Sequence, residues 1–225
     1  MVSMDLSEFG TWQRMTSAQW FLPGMPETDR EHRRTLLLVK QLNALGNTDK
    51  ERSRQLLREL LPAAAEAPGL HTPLNLEFGA NLRLGKNVFI NFGATILAQA
   101  PITLGDDTMV GPNCSFITVG HPVADHEMRR GGWEIALPIT VGSNCWFGTG
   151  VTVLPGVTIG DDCVLGAGSL ITRDVPDKSL VRGGPGRVVR KLDIEDAADG
   201  EPSRPDSGLE RVDLDGPVEG FSAQD

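Results

Sequence analysis

Residues 139–174 read ITVGSN CWFGTG VTVLPG VTIGDD CVLGAG SLITRD, one six-residue pattern written repeatedly. The first residue of each hexad is small or aliphatic, the third is a larger apolar residue, and the fourth is most often Gly. The pattern also fills residues 76–99 (LEFGAN LRLGKN VFINFG ATILAQ) and 102–119 (ITLGDD TMVGPN CSFITV). An apolar period of six fits neither an α-helix nor a simple alternating strand. It is typical of a parallel β-helix, in which repeats stack as coils around one core.

The stacking of coils predicts which residues lie against each other. If three hexads make one triangular coil, residues about 18 positions apart should stack through parallel strand hydrogen bonds. Gly, Asn and Asp at positions four to six tolerate the dihedral angles of the turns. Cys145 and Cys163 occupy position one in stacked hexads, and Cys114 occupies the same position. We interpret all three as core residues rather than reactive thiols or metal ligands.

The chain is predicted to have three parts. Residues 1–70 form an N-terminal helical region, residues 71–195 form the β-helix domain, and residues 196–225 form a disordered acidic tail. The tail holds nine acids and only two arginines among Pro, Gly and Ser. Such a composition cannot bury enough apolar surface to offset chain entropy, although an acidic interaction tail is an alternative.

The N-terminal region has the pattern of a helical hairpin. One helix is expected over residues 30–45 and ends at Gly46, a favourable C-cap. Thr48 or Asp49 can cap a second helix over residues 51–61, which carries Leu at helical spacing. The hairpin is interpreted as a structural cap, with a lid that contributes substrate contacts as the alternative.

Composition restricts the class of protein. The 225 residues carry a net charge of −9, mostly from the tail, so the body is nearly neutral and general nucleic-acid binding through a basic face is not expected. No stretch approaches the length of a membrane span, and the start MVSMDLSEFG lacks the pattern of a secretory signal. Three cysteines are too few for a disulfide framework. We expect a cytoplasmic protein without membrane or nucleic-acid partners.

The repeat is interrupted at residues 120–138, and function is expected at this break. Starting from Val119, the sequence reads VGHPVADHEMRRGGWEIALP, which includes His121, His126 and Glu134. A long loop extruded from a rigid β-helix is commonly functional. His126 is interpreted as a surface loop residue, while His32 and His71 have no predicted partner.

Several features together resemble one family. The helical opening, the hexads, the loop beginning GHPV, the run WFGTGVTVLPGVTIGDD and the closing GGPGRVVRKL are similar to the galactoside and maltose O-acetyltransferases. The similarity covers about residues 12–192. It implies a left-handed β-helix of hexapeptide repeats and a homotrimer with sites between subunits. It also implies direct transfer of acetyl from acetyl-CoA, the co-substrate, to a hydroxyl, without an acyl-enzyme and without a metal.

The resemblance makes His121 the catalytic base. A sugar hydroxyl is a poor nucleophile until a base takes its proton, and imidazole titrates in the required range. Glu134 is a candidate to orient His121 through its other ring nitrogen, with a solvated loop carboxylate as the alternative. The oxyanion of the tetrahedral intermediate needs hydrogen-bond donors, and backbone N–H groups around Gly148 and Thr149 are candidates.

The resemblance also assigns binding residues. Asn91 matches an asparagine near the acceptor, with a turn residue in a left-handed conformation as the alternative. Arg187 and Arg190, late in the chain, match arginines that meet the phosphates of the cofactor, and guanidinium suits this role. The cofactor-binding candidates are Trp146, Gly148, Thr149, Ala167, Thr172, Arg173, Arg187 and Arg190.

The departures from the family concern the acceptor. Residues 20–26 (WFLPGMP) contain no acid, Gln99 stands where an aspartate is common, and Phe89 stands where Tyr is common. The leading hypothesis is an O-acetyltransferase for a sugar or sugar-like hydroxyl. The alternatives are a non-sugar acceptor such as an antibiotic or serine hydroxyl, a zinc-dependent β-helix hydratase, and a catalytically silent assembly protein.

Overall fold

The fold is a parallel β-helix capped by helices at its N-terminal end, as seen in a computed structural model that describes residues 10–192. Most strands, numbered in chain order, form three sheets. Sheet I contains β1 (Gly69–Leu70), β4 (Phe89–Ile90), β7 (Met109–Val110), β12 (Trp146–Phe147), β15 (Val164–Leu165), β17 (Ser179–Arg182) and β18 (Arg187–Lys191). Sheet II contains β2 (Leu74–Glu77), β5 (Ala94–Leu97), β8 (Ser115–Ile117), β13 (Thr152–Val153) and β16 (Leu170–Ile171). Sheet III contains β3 (Leu82–Leu84), β6 (Ile102–Leu104), β11 (Ile139–Val141) and β14 (Thr158–Ile159).

The hexad positions have the predicted roles. Residues at positions one and three point into the coil, and Cys145, Phe147 and Val151 are all 0% exposed. The three cysteines are buried, free thiols, which confirms their assignment to the core. Burial raises the pKa of the Cys114 thiol above its usual value, so this group stays protonated.

Position six is where the chain turns through the left-handed region. Five Asn and Asp residues at this position have φ between 54° and 58°, and Gly fills it in several other coils; the five are Asn87, Asp107, Asn113, Asn144 and Asp162. Asn and Asp tolerate this conformation better than other residues with a Cβ. They also stack between coils: the Asn144 side chain donates to Asp162 at 2.7 Å, and Asn87 donates to Asp107 at 2.7 Å. The turn residues therefore hold neighbouring coils in register.

The coils differ in length on the two sides of the loop. After the loop, Thr140 pairs with Thr158, which is the predicted spacing of 18. Before it, Leu82 pairs with Ile102, a spacing of 20, because residues are inserted between sheets II and III. The first hexad was placed out of phase, since Leu76 pairs with Ile96, a position-three residue. Leu74 therefore begins the first repeat.

Three helices precede the β-helix: α1 (Thr11–Thr16), α2 (Pro26–Leu45) and α3 (Lys50–Leu60). The hairpin of α2 and α3 confirms the predicted pair of helices. Helix α2 begins earlier than predicted because Pro26 occupies its first turn, where the missing N–H costs nothing. The Asp49 side chain caps α3 by accepting from the Arg52 N–H.

Polar side chains of α2 hold the first coil. The Asn43 side chain both accepts from the Leu74 N–H at 2.9 Å and donates to the Leu74 carbonyl at 2.8 Å. The Thr35 hydroxyl accepts from the Gly79 N–H at 2.9 Å. The end of a β-helix exposes backbone groups that have no neighbouring coil. The helical hairpin satisfies these groups, which is the structural role that the sequence predicted.

Candidate active site

The loop of residues 120–138 leaves the β-helix where the chain passes from sheet II to sheet III, which we call the II–III corner. Its base is an antiparallel pair of short strands, β9 (Val119–Gly120) and β10 (Ile135–Ala136). Its middle contains the single turn α4 (His126–Arg130). The Arg129 guanidinium donates to the carbonyls of Pro122 and Val123 at 2.7 and 2.8 Å, which fixes the chain directly after His121.

His121 is held by a main-chain carbonyl. Its Nδ1 lies 3.0 Å from the Trp133 carbonyl oxygen, and a carbonyl can only accept, so Nδ1 carries the hydrogen in this contact. In the neutral ring the lone pair is then on Nε2. The side chain is 54% exposed. The ring is thus oriented through Nδ1 and belongs to a half-exposed side chain, which suits a general base.

Glu134 faces the reactive side of this ring. Its Oε1 lies 3.9 Å from His121 Nε2, and its side chain is 16% exposed. Burial raises the pKa of the Glu134 carboxyl; Glu77 also raises it, whereas a charge on His121 lowers it. The main chain of Glu134 exchanges two hydrogen bonds of 2.9 Å with Phe21. The segment before α2 is therefore attached to the loop.

The geometry changes the role predicted for Glu134. We expected it to orient His121 through the nitrogen remote from the substrate, but that nitrogen contacts the Trp133 carbonyl. The alternative of a solvated loop carboxylate is also wrong, because the side chain is largely buried. Glu134 instead lies where it can favour a positive charge on His121 after proton uptake.

A cavity of about 280 Å³ lies beside Glu134 at the II–III corner, and we call it the acceptor cavity. Phe21, Pro23 and Met15 form an apolar part of its wall. Its polar lining comes from four separate parts of the chain and consists of Thr28, Asp29, His32, Glu77, Gln99 and Glu134. The first three of these residues lie on α2, so the helical region has more than the capping role and forms part of this wall.

Sequence reasoning missed most of this polar wall. Glu77 ends β2, and its Oε2 accepts from the Gln99 side chain at 2.9 Å. His32, to which no partner was assigned, has its Nε2 3.5 Å from Glu77 Oε1 and its ring stacked on Phe78. The available signal was the pair of residues inserted between sheets II and III in the early coils. These insertions bring Gln99 to the corner from which the loop leaves.

The predicted cofactor residues lie mainly at another corner, between sheets I and II, which we call the I–II corner. Trp146 is 53% exposed and pairs with Met109, which is 49% exposed. Large apolar side chains that remain exposed in a row on a sheet indicate a binding surface. Gly148, Thr149 and Ala167 follow this row, and Gly148 admits no side chain, since a Cβ there would lie 2.7 Å from the Ala167 nitrogen.

The donor role predicted for Gly148 is wrong. Its N–H donates to the Leu165 carbonyl at 2.8 Å as part of the bonding between coils. That hydrogen atom is therefore not available for an oxyanion. Gly148 is instead required by the close approach of the next coil, which leaves Thr149 as the candidate donor at this position.

The remaining predicted residues are divided between the corners. Thr172 and Arg173 follow β16 at the II–III corner, on the same side as the loop. Arg187 and Arg190 lie on β18, an exposed strand at the edge of sheet I. Asn91 follows β4 at the I–II corner. It is not among the residues of the described chain with positive φ, and its Oδ1 accepts from the Phe92 N–H at 2.8 Å, so the left-handed alternative is wrong.

Within residues 10–192, no group of three or more His, Cys, Asp or Glu side chains is arranged to hold a metal ion. None of the helices in the same range has both the length and the apolar character needed to span a bilayer.

Comparison with known proteins identifies the class. The bacterial transferase hexapeptide family (six repeats) matches residues 138–173, and the maltose acetyltransferase hexapeptide capping motif matches residues 14–64. The galactoside O-acetyltransferase of Escherichia coli K12 is 35% identical over 173 residues, which is 77% of this chain and 83% of the relative. The chain is therefore an acyltransferase of the hexapeptide-repeat class.

Solved structures agree with this class. A galactoside acetyltransferase in complex with coenzyme A has a TM-score of 0.79 at 30% identity, covering 90% of this chain and all of that one. A hexapeptide-repeat acetyltransferase from Vibrio cholerae O1 biovar eltor, complexed with acetyl-CoA, has a TM-score of 0.74 at 30% identity, covering 82% of this chain and 100% of that chain. Within the class, the chain belongs to the galactoside and maltose O-acetyltransferase family.

Proposed function

We propose that this protein transfers the acetyl group of acetyl-CoA to a hydroxyl of a sugar or sugar-like acceptor, with His121 as the general base. The observation that carries the proposal is the contact of His121 Nδ1 with the Trp133 carbonyl, which leaves Nε2 unprotonated in the neutral ring of a half-exposed side chain. Two solved relatives, complexed with coenzyme A and acetyl-CoA, support the choice of acyl donor.

The proposed reaction is a single direct transfer. The acceptor hydroxyl oxygen attacks the thioester carbonyl carbon while Nε2 of His121 takes its proton. An oxygen–acyl bond forms, the carbon–sulfur bond breaks, and His121 returns the proton to the departing sulfur. The products are an acetyl ester and the free thiol of coenzyme A. Glu134 stabilises the protonated ring between the two proton transfers.

Two exposed surfaces of the chain have the chemical character needed to bind the pantetheine arm and the phosphates of acetyl-CoA. Trp146 and Met109 offer an exposed apolar row for the pantetheine arm. Arg187 and Arg190 are exposed guanidinium groups on β18, and guanidinium binds phosphate through paired hydrogen bonds. Thr149, Ala167, Thr172 and Arg173 are assigned to the same groove, and Asn91 is assigned to the acceptor.

We also propose that each site is shared between subunits of a homotrimer. Within one chain His121 belongs to the II–III corner, whereas Trp146 and Thr149 belong to the I–II corner. A second copy that places its I–II corner beside the loop would bring these two sets of residues together.

Thiol release from acetyl-CoA in the presence of a panel of sugars, nucleotide sugars and hydroxyl-bearing antibiotics tests the activity. Mass spectrometry should show an acetyl ester on at least one acceptor. Absence of thiol release above the uncatalysed background throughout the panel would contradict the proposed transfer.

Mixing two inactive variants tests the shared site. His121→Ala removes the base and Trp146→Glu places a charge on the exposed row, so each homotrimer should be inactive. After subunit exchange, mixed trimers contain some sites built from two intact corners, and activity should partly return. Activity that stays at the level of the separate variants, with exchange verified by native mass spectrometry, would show that each chain forms its own site.

A further inference from the structure

The acceptor cavity contains a buried oxygen atom that has no partner. Gln99 is 7% exposed, and its Nε2 donates to Glu77, which fixes the orientation of the amide. Its Oε1 is buried and makes no hydrogen bond. A buried carbonyl oxygen without a donor costs free energy, so this atom favours a ligand that brings a hydrogen-bond donor into the cavity.

The other polar groups of the cavity are also mainly acceptors. The side chains of Glu77 and Glu134 line the cavity, and so does Asp29, which lies in the first turn of α2. Within the described part of the chain, no Lys or Arg is among the lining residues. Asp29 has its own cation, because the Arg33 Nε donates to it at 2.6 Å. Among the described residues, the basic groups recorded beside Glu77 and Glu134 are the imidazoles of His32 and His121.

Two of these carboxylates interact unfavourably. Burial is the main cause that raises the pKa of Glu134, and the nearby negative charge of Glu77 adds to the same effect. His32 lies 3.5 Å from Glu77, and its buried Nε2 makes no hydrogen bond. A positive charge placed between the carboxylates would relieve this repulsion and would also supply donors.

We propose that the acceptor cavity selects a hydroxyl compound that carries a cationic amino group, such as an amino sugar or an amino alcohol. The ammonium donates to the Glu77 carboxylate and to Gln99 Oε1, while a neighbouring hydroxyl is directed toward Nε2 of His121. The inference rests on the proposed transfer reaction and adds the chemical class of its acceptor.

The protonated amine is the recognised group and not the nucleophile. An ammonium has no lone pair, so it cannot attack the thioester. The oxygen–acyl bond forms at the hydroxyl, the carbon–sulfur bond breaks, and the hydroxyl proton passes through His121 to the sulfur. The product is an ester that keeps its free ammonium.

Matched acceptor pairs test the proposal: glucosamine against glucose, and galactosamine against galactose, at a pH where the amine is protonated. Thiol release gives kcat/KM, and lability to hydroxylamine distinguishes an ester from an amide. We expect kcat/KM to be at least about tenfold higher for the amino sugars, since hydrogen bonds to charged groups are worth at least this factor. Equal or lower values, or an amide product, would overturn the proposal.

A substitution that removes the charge of Glu77 provides a second test of the cationic acceptor. Glu77→Gln keeps the shape of the side chain and one oxygen that can accept from Gln99, but it removes the charge. It should reduce the ratio of kcat/KM for amino sugar over neutral sugar by about tenfold, while the Kd of coenzyme A stays the same. Glu127→Gln is the matched control, because Glu127 is an exposed carboxylate of the loop paired with Arg130. It should leave the ratio unchanged.

The outcomes separate this inference from the proposed function. Transfer to neutral sugars without preference for the amino sugars would disprove the cationic acceptor and leave the transferase intact. Failure of every acceptor, neutral or cationic, would remove the proposed function and this inference with it. Retained binding of coenzyme A by Glu77→Gln shows that the variant is folded, so that an unchanged ratio counts against the role of Glu77.

Discussion

The two corners of the β-helix differ in regularity and in chemistry. At the I–II corner, the connection from sheet I to sheet II has the same length in each coil. This corner presents Gly, Thr and Ala together with an exposed row of apolar side chains. The II–III corner contains the inserted residues of the early coils, the extruded loop and the acceptor cavity with its titratable groups. A repeated surface provides a long uniform groove, whereas insertions at one corner provide the functional groups that a repeat does not contain.

Substitution of the proposed base, which lies at the irregular corner, should give the largest effect. His121→Ala should lower kcat/KM by about 10²- to 10⁴-fold, the usual contribution of a general base, while coenzyme A binds as before. Steady-state thiol release and calorimetry measure these two quantities. His126→Ala, in the exposed helix α4 of the same loop, should leave both unchanged. An active His121→Ala enzyme would assign the chemistry to another residue.

Substitutions at the regular I–II corner should instead weaken binding of the cofactor. Trp146→Ala should raise the Kd of coenzyme A by about tenfold, because the exposed indole loses its contact with the ligand. Its effect on the free energy of unfolding should be small, since the side chain is 53% exposed. Val123→Ala changes an apolar residue that is 93% exposed and serves as the control for both measurements. An unchanged Kd for Trp146→Ala would show that the row on sheet I is not the groove.

Substitution of the arginines of β18 tests whether their charges contribute to coenzyme A binding in the same groove. Arg187→Ala and Arg190→Ala should each weaken coenzyme A by about two- to fivefold, because exposed ion pairs contribute little individually. The difference should shrink as salt is added. Arg83→Ala removes an exposed cation of sheet III and should have no effect. Calorimetry that gives equal Kd values for all three variants would remove β18 from the cofactor site.

The smallest effect concerns stability at the irregular corner. Burial raises the pKa of Glu134, so the folded state binds its proton more tightly than the unfolded chain does. Stability contributed by this group is therefore lost as pH rises through the folded pKa. Glu134→Gln should melt a few degrees higher than the natural protein at neutral pH, and the difference should vanish below pH 4.5, the ordinary value.

Thermal scans at the two pH values measure this difference. Glu127→Gln should show no comparable pH dependence, because that carboxylate is exposed and paired with Arg130. A Glu134→Gln protein that melts lower at neutral pH would show that the carboxylate is stabilising in the fold.

The sequence predicted the regular parts of the molecule better than the irregular ones. Cys145 and Phe147 could be placed in the core because they occupy positions one and three of a hexad, and these positions point into the coil. The wall formed by His32, Glu77 and Gln99 could not be foreseen, since these residues are distant in sequence and meet only where inserted residues turn the chain. The environment of His121 was partly missed for a similar reason. The fold of the loop, and not residue type, decides which nitrogen faces Trp133.

The imidazole is anchored by the peptide group of Trp133 and not by its indole. Point mutation at residue 133 exchanges the side chain but retains the carbonyl, so evolution can vary that position without altering the tautomer of the ring. Only a change in the path of the chain between residues 121 and 133 would remove the acceptor for Nδ1. The orientation and tautomer of His121 are therefore insensitive to substitution of residue 133 and sensitive to insertions and deletions in the loop.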